Sequence, residues 1–145
     1  PGGWAEGSPR PTPRGSRSLV LRVRYGKQSL LLAGDLDRKG QGILLDRGEL
    51  RKSNVLKLPG HGGPSCRLEL LEQVRPQIAI LSVESPNRFG HPVPAVLQTL
   101  ELLGSRLYRT DRDGAIRLVT DGEALQVETY TDLRAHRKWA LVRWF

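Results

Sequence analysis

The stretch SLVLRVRYGKQSLLLAGDLD, residues 18–37, predicts two antiparallel strands that end in a polar turn. Apolar and basic residues alternate in its first half with the period of two that is typical of a strand; the apolar side consists of Leu19, Leu21, Val23 and Tyr25. A turn at Gly26 and Lys27 leads into residues 28–33, whose nearly continuous apolar character is typical of a strand buried on both faces. This second strand stops at Gly34 and Asp35.

Beyond this pair, predicted helices alternate with predicted strands. In chain order they are a weak helix with Leu44 and Leu45 on its core side, a strand at residues 54–58, a helix capped by Ser65, a strand at residues 77–83, and a helix that stops at Gly104. Three strand-like pieces follow as a meander, at residues 106–109, 115–120 and 125–130, with turn signals at Asp113-Gly114 and Asp121-Gly122. The alternation predicts an α/β layered fold.

The two ends of the chain differ from the part between them. Residues 1–17 are rich in Gly, Pro, Ser and Arg and predict a flexible lead-in or a long loop. Residues 18–131 read as one folded domain, and residues 132–145 as a basic, aromatic tail whose pattern fits a helix and a strand equally well. The chain begins at Pro1 and contains no methionine, so we expect it to be a piece of a longer protein.

Composition narrows the class of protein. No apolar stretch approaches the roughly 20 residues that a membrane-spanning helix needs, so we expect this chain to be soluble. The single cysteine, Cys66, excludes an intrachain disulfide and a cysteine-rich zinc site. The net charge of +8, with 18 arginines against 5 lysines, favours a polyanionic partner. The alternative is that this composition reflects a GC-rich genome.

Two polar residues follow predicted buried strands, each beside glycine. Asp35 follows LLLAG and His61 follows VLKLPG. Because strand ends fix the direction of a side chain while the loop exposes it, carboxylate and imidazole at such positions are suited to zinc or manganese. Each residue also fits a plain turn or an exposed loop, and two ligands fall short of the three that a catalytic metal site needs.

The loop SPNRFGHP, residues 85–92, is a third place where chemistry is expected. Asn87, Arg88 and His91 stand just before a predicted helix N-terminus, and both that terminus and arginine favour phosphate. His91 at this position can serve as a ligand or as a general acid. A structured loop, in which Asn87 forms a turn and His91 bonds backbone, explains the same residues equally well.

Four segments together closely resemble the metallo-β-lactamase-like domain of the ComEC family of DNA-internalisation competence proteins. They span roughly residues 18–120 in order, and they are SLVLRVRYGKQSLLLAGDLD, VLKLPGHGG, PNRFGHPVPAVLQTLELLG and YRTDRDGAI. The resemblance implies the second half of an αββα sandwich. It also implies a metal-dependent nuclease domain, on the outer side of a bacterial inner-membrane channel for single-stranded DNA, that degrades the strand left outside.

The resemblance also implies roles for individual residues. Asp35 corresponds to the aspartate that bridges the metals, zinc or manganese, and His61 to a later histidine ligand. His91 is expected to handle a proton or to support the metal ligands. In this interpretation the DNA-contacting side chains are Lys57, Asn87, Arg88, Arg109 and Arg112, and a solvated surface explains the lysine and the arginines equally well. Partners would be DNA and the rest of the membrane protein.

Departures from the family pattern leave a second function open. The metal motif HxHxDH is absent, since the histidines are His61, His91 and His136 and none has that spacing. The site is then either divergent or decayed, and the alternative function is a DNA-binding module without catalysis, held by basic charge. If the first sheet layer is missing, the apolar inner face of the remaining strands lacks a cover, and the chain is expected to self-associate.

Overall fold

The computed structural model describes residues 18–131, so the predicted lead-in at residues 1–17 and the tail at residues 132–145 lie outside the described part. The strands are β1 (Leu21–Tyr25), β2 (Gln28–Leu32), β3 (Val55–Lys57), β4 (Ile78–Leu81), β5 (Arg106–Arg109), β6 (Ile116–Thr120) and β7 (Leu125–Thr129). The helices are α1 (Arg38–Asp46), α2 (Leu68–Val74), α3 (Pro94–Leu102) and the single-turn α4 (Thr110–Asp113), and a 3-10 turn spans Pro59–Gly62. The predicted α/β class is confirmed.

Five strands form one mixed sheet in the order β1-β2-β3-β4-β5. β1 pairs antiparallel with β2, and each later neighbour is parallel. Because α1, α2 and α3 connect consecutive parallel strands, the carboxyl ends of β2 to β5 all lie at one edge of the sheet. This edge is where the loops with polar residues emerge.

One face of the sheet carries the helices and the core. Leu31, Leu56 and Ala79 stand side by side in register, and all three are buried. They pack with buried residues of the helix layer, namely Leu70, Leu71, Val74, Val96 and Leu100. The β1 side chains that alternate with arginine belong to the opposite face and are exposed: Leu21, Val23 and Tyr25. The sheet is therefore covered by helices on one face only within the described residues.

The start of α2 differs from the sequence prediction. Ser65 does not cap this helix; its N-cap is Arg67, which makes no capping hydrogen bond with its side chain. The fully buried Gln41 of α1 accepts a hydrogen bond from the Arg67 backbone N–H at 2.8 Å and donates to the Leu36 and Ser65 carbonyls. Gln41, a residue of the neighbouring helix, thus accepts a backbone hydrogen bond at the start of α2, the role that the sequence analysis assigned to Ser65.

The predicted three-stranded meander is also wrong. β5 adds to the five-stranded sheet in parallel with β4, and only β6 and β7 form an antiparallel hairpin. Asp113-Gly114 ends α4, with Gly114 at φ 70°. Turn and helix-end signals share this Asp-Gly composition, which is why the sequence alone did not separate them. No helix in residues 18–131 is long and apolar enough to cross a bilayer.

Candidate functional site

Asp35, His61 and His91, which the sequence singled out, collect at the carboxyl edge of the sheet together with Thr110, which it did not. Asp35 follows β2, and His61 lies in the 3-10 turn that follows β3. The loop with His91 follows β4, and Thr110 follows β5. Backbone hydrogen bonds hold the neighbouring loops together, from Gly60 N–H to the Gly34 carbonyl at 3.2 Å and from Val93 N–H to the Gly62 carbonyl at 3.0 Å.

Asp35 and His61 lie next to each other at this edge, and their assignment to a shared metal site stays a prediction. His61 Nε2 is 3.4 Å from Asp35 Oδ1, and both side chains are well exposed, 47% and 71% respectively. His61 Nδ1 lies 2.7 Å from the Ser82 carbonyl. Because a carbonyl oxygen can only accept, Nδ1 donates to it, and Nε2 is the ring nitrogen that faces Asp35. The hydrogen bond at Nδ1 thus fixes the orientation of the imidazole, as such a bond does in metal-binding histidines.

The geometry of this pair fits two corners of a metal site. Two ligands of a tetrahedral zinc ion, each about 2.1 Å from the metal, lie about 3.4 Å apart. Within residues 18–131, however, no group of three or more His, Cys, Asp or Glu side chains is close enough to hold an ion. The described part of the chain therefore supplies two donors and no third.

The loop with His61 has an unusual backbone. Gly60 and His61 both adopt left-handed conformations, with φ of 50° and 56°. A left-handed histidine is uncommon, and such strain is maintained when surrounding contacts demand it. Here the contacts are the hydrogen bond from the imidazole to the Ser82 carbonyl and the backbone hydrogen bonds that Gly60 and Gly62 make with the neighbouring loops. This conformation is what directs the imidazole toward Asp35.

His91 is held in place from its own loop. The Asn87 side chain donates to the His91 carbonyl and accepts from the His91 N–H at 3.2 Å. The Thr110 hydroxyl fixes the start of the loop, because it donates to the Val83 carbonyl and accepts from the Val83 N–H, both at 2.7 Å. The His91 ring faces Gly63, where an added Cβ would lie 2.7 Å from ring atoms. The predicted loop beside the site is thus an ordered one, in which Asn87 bonds backbone.

Arg109 was predicted to contact DNA, but its guanidinium is already engaged. It forms two hydrogen bonds to the Asp111 carboxylate, Nη2–Oδ2 at 2.7 Å and Nε–Oδ1 at 3.0 Å, and both side chains are nearly buried. The hydrogen bond raises the pKa of Arg109 and lowers that of Asp111. Arg109 Nη2 also lies 3.5 Å from the His91 carbonyl. This environment favours a structural role for Arg109 in the loop.

The other predicted DNA contacts are more accessible. Arg88 and Arg112 are exposed. Lys57 is half-buried, and its Nζ lies 3.4 Å from the Gly34 carbonyl, beside Asp35. These cations are suited to phosphate, and their contact with DNA stays a prediction.

Sequence reasoning missed the residues that support the site. Thr110 bonds the backbone of Val83, which lies 27 residues earlier in the chain. Asp111 bonds the side chain of Arg109, two residues earlier. The signal available was their place in the segment TDRDGAI, which the resemblance singled out without giving these two residues a role. Ser82 contributes through its backbone carbonyl, which no sequence pattern reveals.

Fold and site together define an α/β protein with a polar, partly basic site at the carboxyl edge of a parallel sheet. No model of a known protein family matches the chain. ComE operon protein 3 of Bacillus subtilis is 36% identical to it over 111 residues, 76% of this chain and 14% of that protein. Competence protein ComA of Neisseria gonorrhoeae is 39% identical over 103 residues, 70% of this chain and 15% of that protein. Recombination protein 2 of Haemophilus influenzae is 33% identical over 114 residues, 78% of this chain and 14% of that protein.

The chain is therefore similar to a segment of competence and recombination proteins, and it spans 14% to 15% of the length of these relatives. In this coarser form the predicted resemblance is confirmed. The metallo-β-lactamase-like fold stays a prediction.

Proposed function

We propose that this chain is a segment of a ComEC-type DNA-uptake protein and that its site contributes to metal-dependent phosphodiester hydrolysis of DNA. The observation that carries the proposal is the Asp35–His61 pair, with Oδ1 and Nε2 3.4 Å apart and the imidazole oriented by the Ser82 carbonyl. Similarity to named competence proteins supports DNA as the substrate class. The single helix layer on one sheet is consistent with half of an αββα sandwich.

In this proposal each residue of the site has a stated task. Asp35 and His61 hold a divalent ion, zinc or manganese, which when bound polarises a phosphoryl oxygen. Lys57 and Arg88 attract the DNA phosphates, and Arg112 extends the basic surface. His91 handles a proton at the leaving group. The remaining ligands come from parts of the parent protein outside residues 18–131, and the parent places this domain on the outer side of the bacterial inner membrane.

Metal binding tests the proposal directly. We expect the parent protein, which supplies the remaining ligands, to retain metal after dialysis against zinc or manganese, and its Asp35→Ala and His61→Ala variants to lose it, because each removes one of two paired donors. Glu101→Ala is the matched control, since Glu101 is an exposed carboxylate of α3 away from the pair. Metal-dependent release of nucleotides from labelled DNA is expected to follow the same pattern. Metal content or hydrolysis that survives Asp35→Ala contradicts the assignment.

A second function is favoured by the missing third donor within residues 18–131. It is a DNA-binding module without catalysis, held by a net charge of +8. Such a module binds DNA equally well with and without a chelator, and its affinity falls steeply as salt rises because counterions are released from the phosphates. No retained metal together with this salt dependence would establish the second function for the isolated chain.

A further inference from the structure

Phe89 is an exposed aromatic side chain on the loop that carries His91. It is 75% exposed, although apolar side chains of this size are usually buried. A single exposed apolar residue is ordinary on a protein surface, so its exposure alone gives it no role. Its surroundings add three observations that do.

The first observation is that Phe89 stands on an ordered loop. Asn87 bonds the backbone of His91 on one side of Phe89, and Thr110 bonds the backbone of Val83 on the other. A backbone held in this way loses little conformational freedom when a ligand stacks on the Phe89 ring. The backbone that carries the aromatic ring is therefore ordered before a ligand binds.

The second and third observations concern what lies beside the ring. The Phe89 and His91 rings stack with their centroids 5.9 Å apart at 30°. Arg88, the preceding residue, is exposed, and no described salt bridge involves it. An exposed ring that stacks with a second ring and follows an exposed arginine in the chain combines the two elements of single-strand recognition, a stacking platform and a phosphate contact.

From this arrangement we infer that Phe89 and Arg88 bind one unpaired nucleotide, the base stacked on the Phe89 ring and the phosphate on the Arg88 guanidinium. The choice of a nucleic acid as the ligand rests on the proposed function. Paired bases in a duplex have their faces covered by neighbouring bases, so only an unpaired base offers a face to the ring. A protein partner would need a wider apolar patch, and the flanking Arg88 and exposed Gly90 provide none.

Binding to two oligonucleotides separates stacking from charge. One is a fluorescent oligodeoxythymidine of about 10 nucleotides, and the other has the same phosphates but abasic sugars. In chelator, so that no hydrolysis occurs, Phe89→Ala is expected to weaken oligodeoxythymidine binding about tenfold and to leave abasic binding unchanged. Phe89→Trp is expected to restore the affinity, because it restores the aromatic face. Arg88→Ala is expected to weaken both.

Tyr25→Ala is the matched control, since Tyr25 is 60% exposed and lies at the opposite end of the β1–β2 pair from Asp35. It is expected to bind both oligonucleotides like the unaltered chain. Equal effects of Phe89→Ala on the two oligonucleotides, no effect on either, or no rescue by Phe89→Trp would each overturn the inference. None of these outcomes bears on metal retention by Asp35 and His61, so failure here is distinct from failure of the proposed hydrolysis.

Discussion

Gly62 sets how closely the segments bearing His61 and His91 approach each other. An added Cβ on Gly62 would lie 2.8 Å from Leu81 Cδ2 and 2.9 Å from Pro92 Cβ. Gly62 also has φ 70°, a backbone conformation that residues other than glycine rarely adopt. A side chain at this position therefore meets both backbone strain and steric overlap.

Alanine substitution separates these two costs. Gly104 has the same φ of 70°, but nothing lies within 4 Å of the place of an added Cβ, so Gly104→Ala measures backbone strain alone. We expect Gly104→Ala to lower the free energy of unfolding by about 1 kcal/mol, and Gly62→Ala to lower it by about 1–3 kcal/mol more because of the overlap. Urea unfolding followed by circular dichroism measures both. Equal losses in the two variants would show that the close approach at Gly62 contributes nothing.

For single residues, the sequence predicts where a side chain lies in the fold better than it predicts which side chain it contacts. Asp35 and His61 were found because a buried strand followed by glycine and a polar residue marks the edge of a sheet. Arg109 was assigned to DNA because an arginine has the same appearance in a sequence whether it is exposed or paired. Its bidentate contact with Asp111 depends on the single helical turn of α4, which directly follows β5 and which only the structure shows.

The turn of α4 connects β5 to the loop that carries His91. Arg109 N–H donates to Asp113 at 2.6 Å, which fixes the turn, and the Arg109–Asp111 pair lies between this turn and the His91 carbonyl. Both side chains of the pair are about 90% buried, so solvent screens their interaction weakly. The pair should therefore contribute to stability and depend on pH.

Asp111→Asn tests this contribution. The pKa of Asp111 is lowered by its hydrogen bond to Arg109, so the stabilisation is complete above the unfolded-state pKa of about 3.9 and is lost as pH falls through the folded-state pKa. At neutral pH we expect the variant to be less stable by about 2 kcal/mol. The difference should shrink below about pH 3.9. Denaturant unfolding across this range measures it, and a difference independent of pH would rule out the ion pair as its source.

The elements themselves were largely predictable, with one informative exception. Alternating strands and helices up to α3 follow from period-two and helical patterns interrupted by glycine and proline. The pairing of β5 did not follow, because a four-residue strand before Asp-Gly fits a hairpin as well as a parallel edge strand. Parallel pairing with β4 depends on the crossover helix α3, a contact between distant parts of the chain.

Within residues 18–131 the sheet has helices on one face, and on the opposite face the apolar side chains of β1 are exposed whereas Val55 of β3 is buried. Leu19, Leu21, Val23 and Tyr25 are between 45% and 78% exposed. β1 is also the last strand in the sheet order, and within residues 18–131 no other strand pairs with its outer edge. Apolar surface beside an open strand edge promotes association between copies. The exposed part of this face lies on β1, and the self-association expected from the sequence stays a prediction.

Self-association is thus the property expected of the whole molecule. Sedimentation velocity over a concentration series should show oligomers that increase with concentration. Val23→Lys places a charge on the exposed face and should weaken association about tenfold or more, because burying an unpaired ammonium is costly. Gln98→Lys adds the same charge on exposed α3, on the helix side, and should leave association unchanged. A chain that stays monomeric throughout, or a Val23→Lys variant that associates like Gln98→Lys, would mean that the exposed face of β1 is not a contact surface between copies.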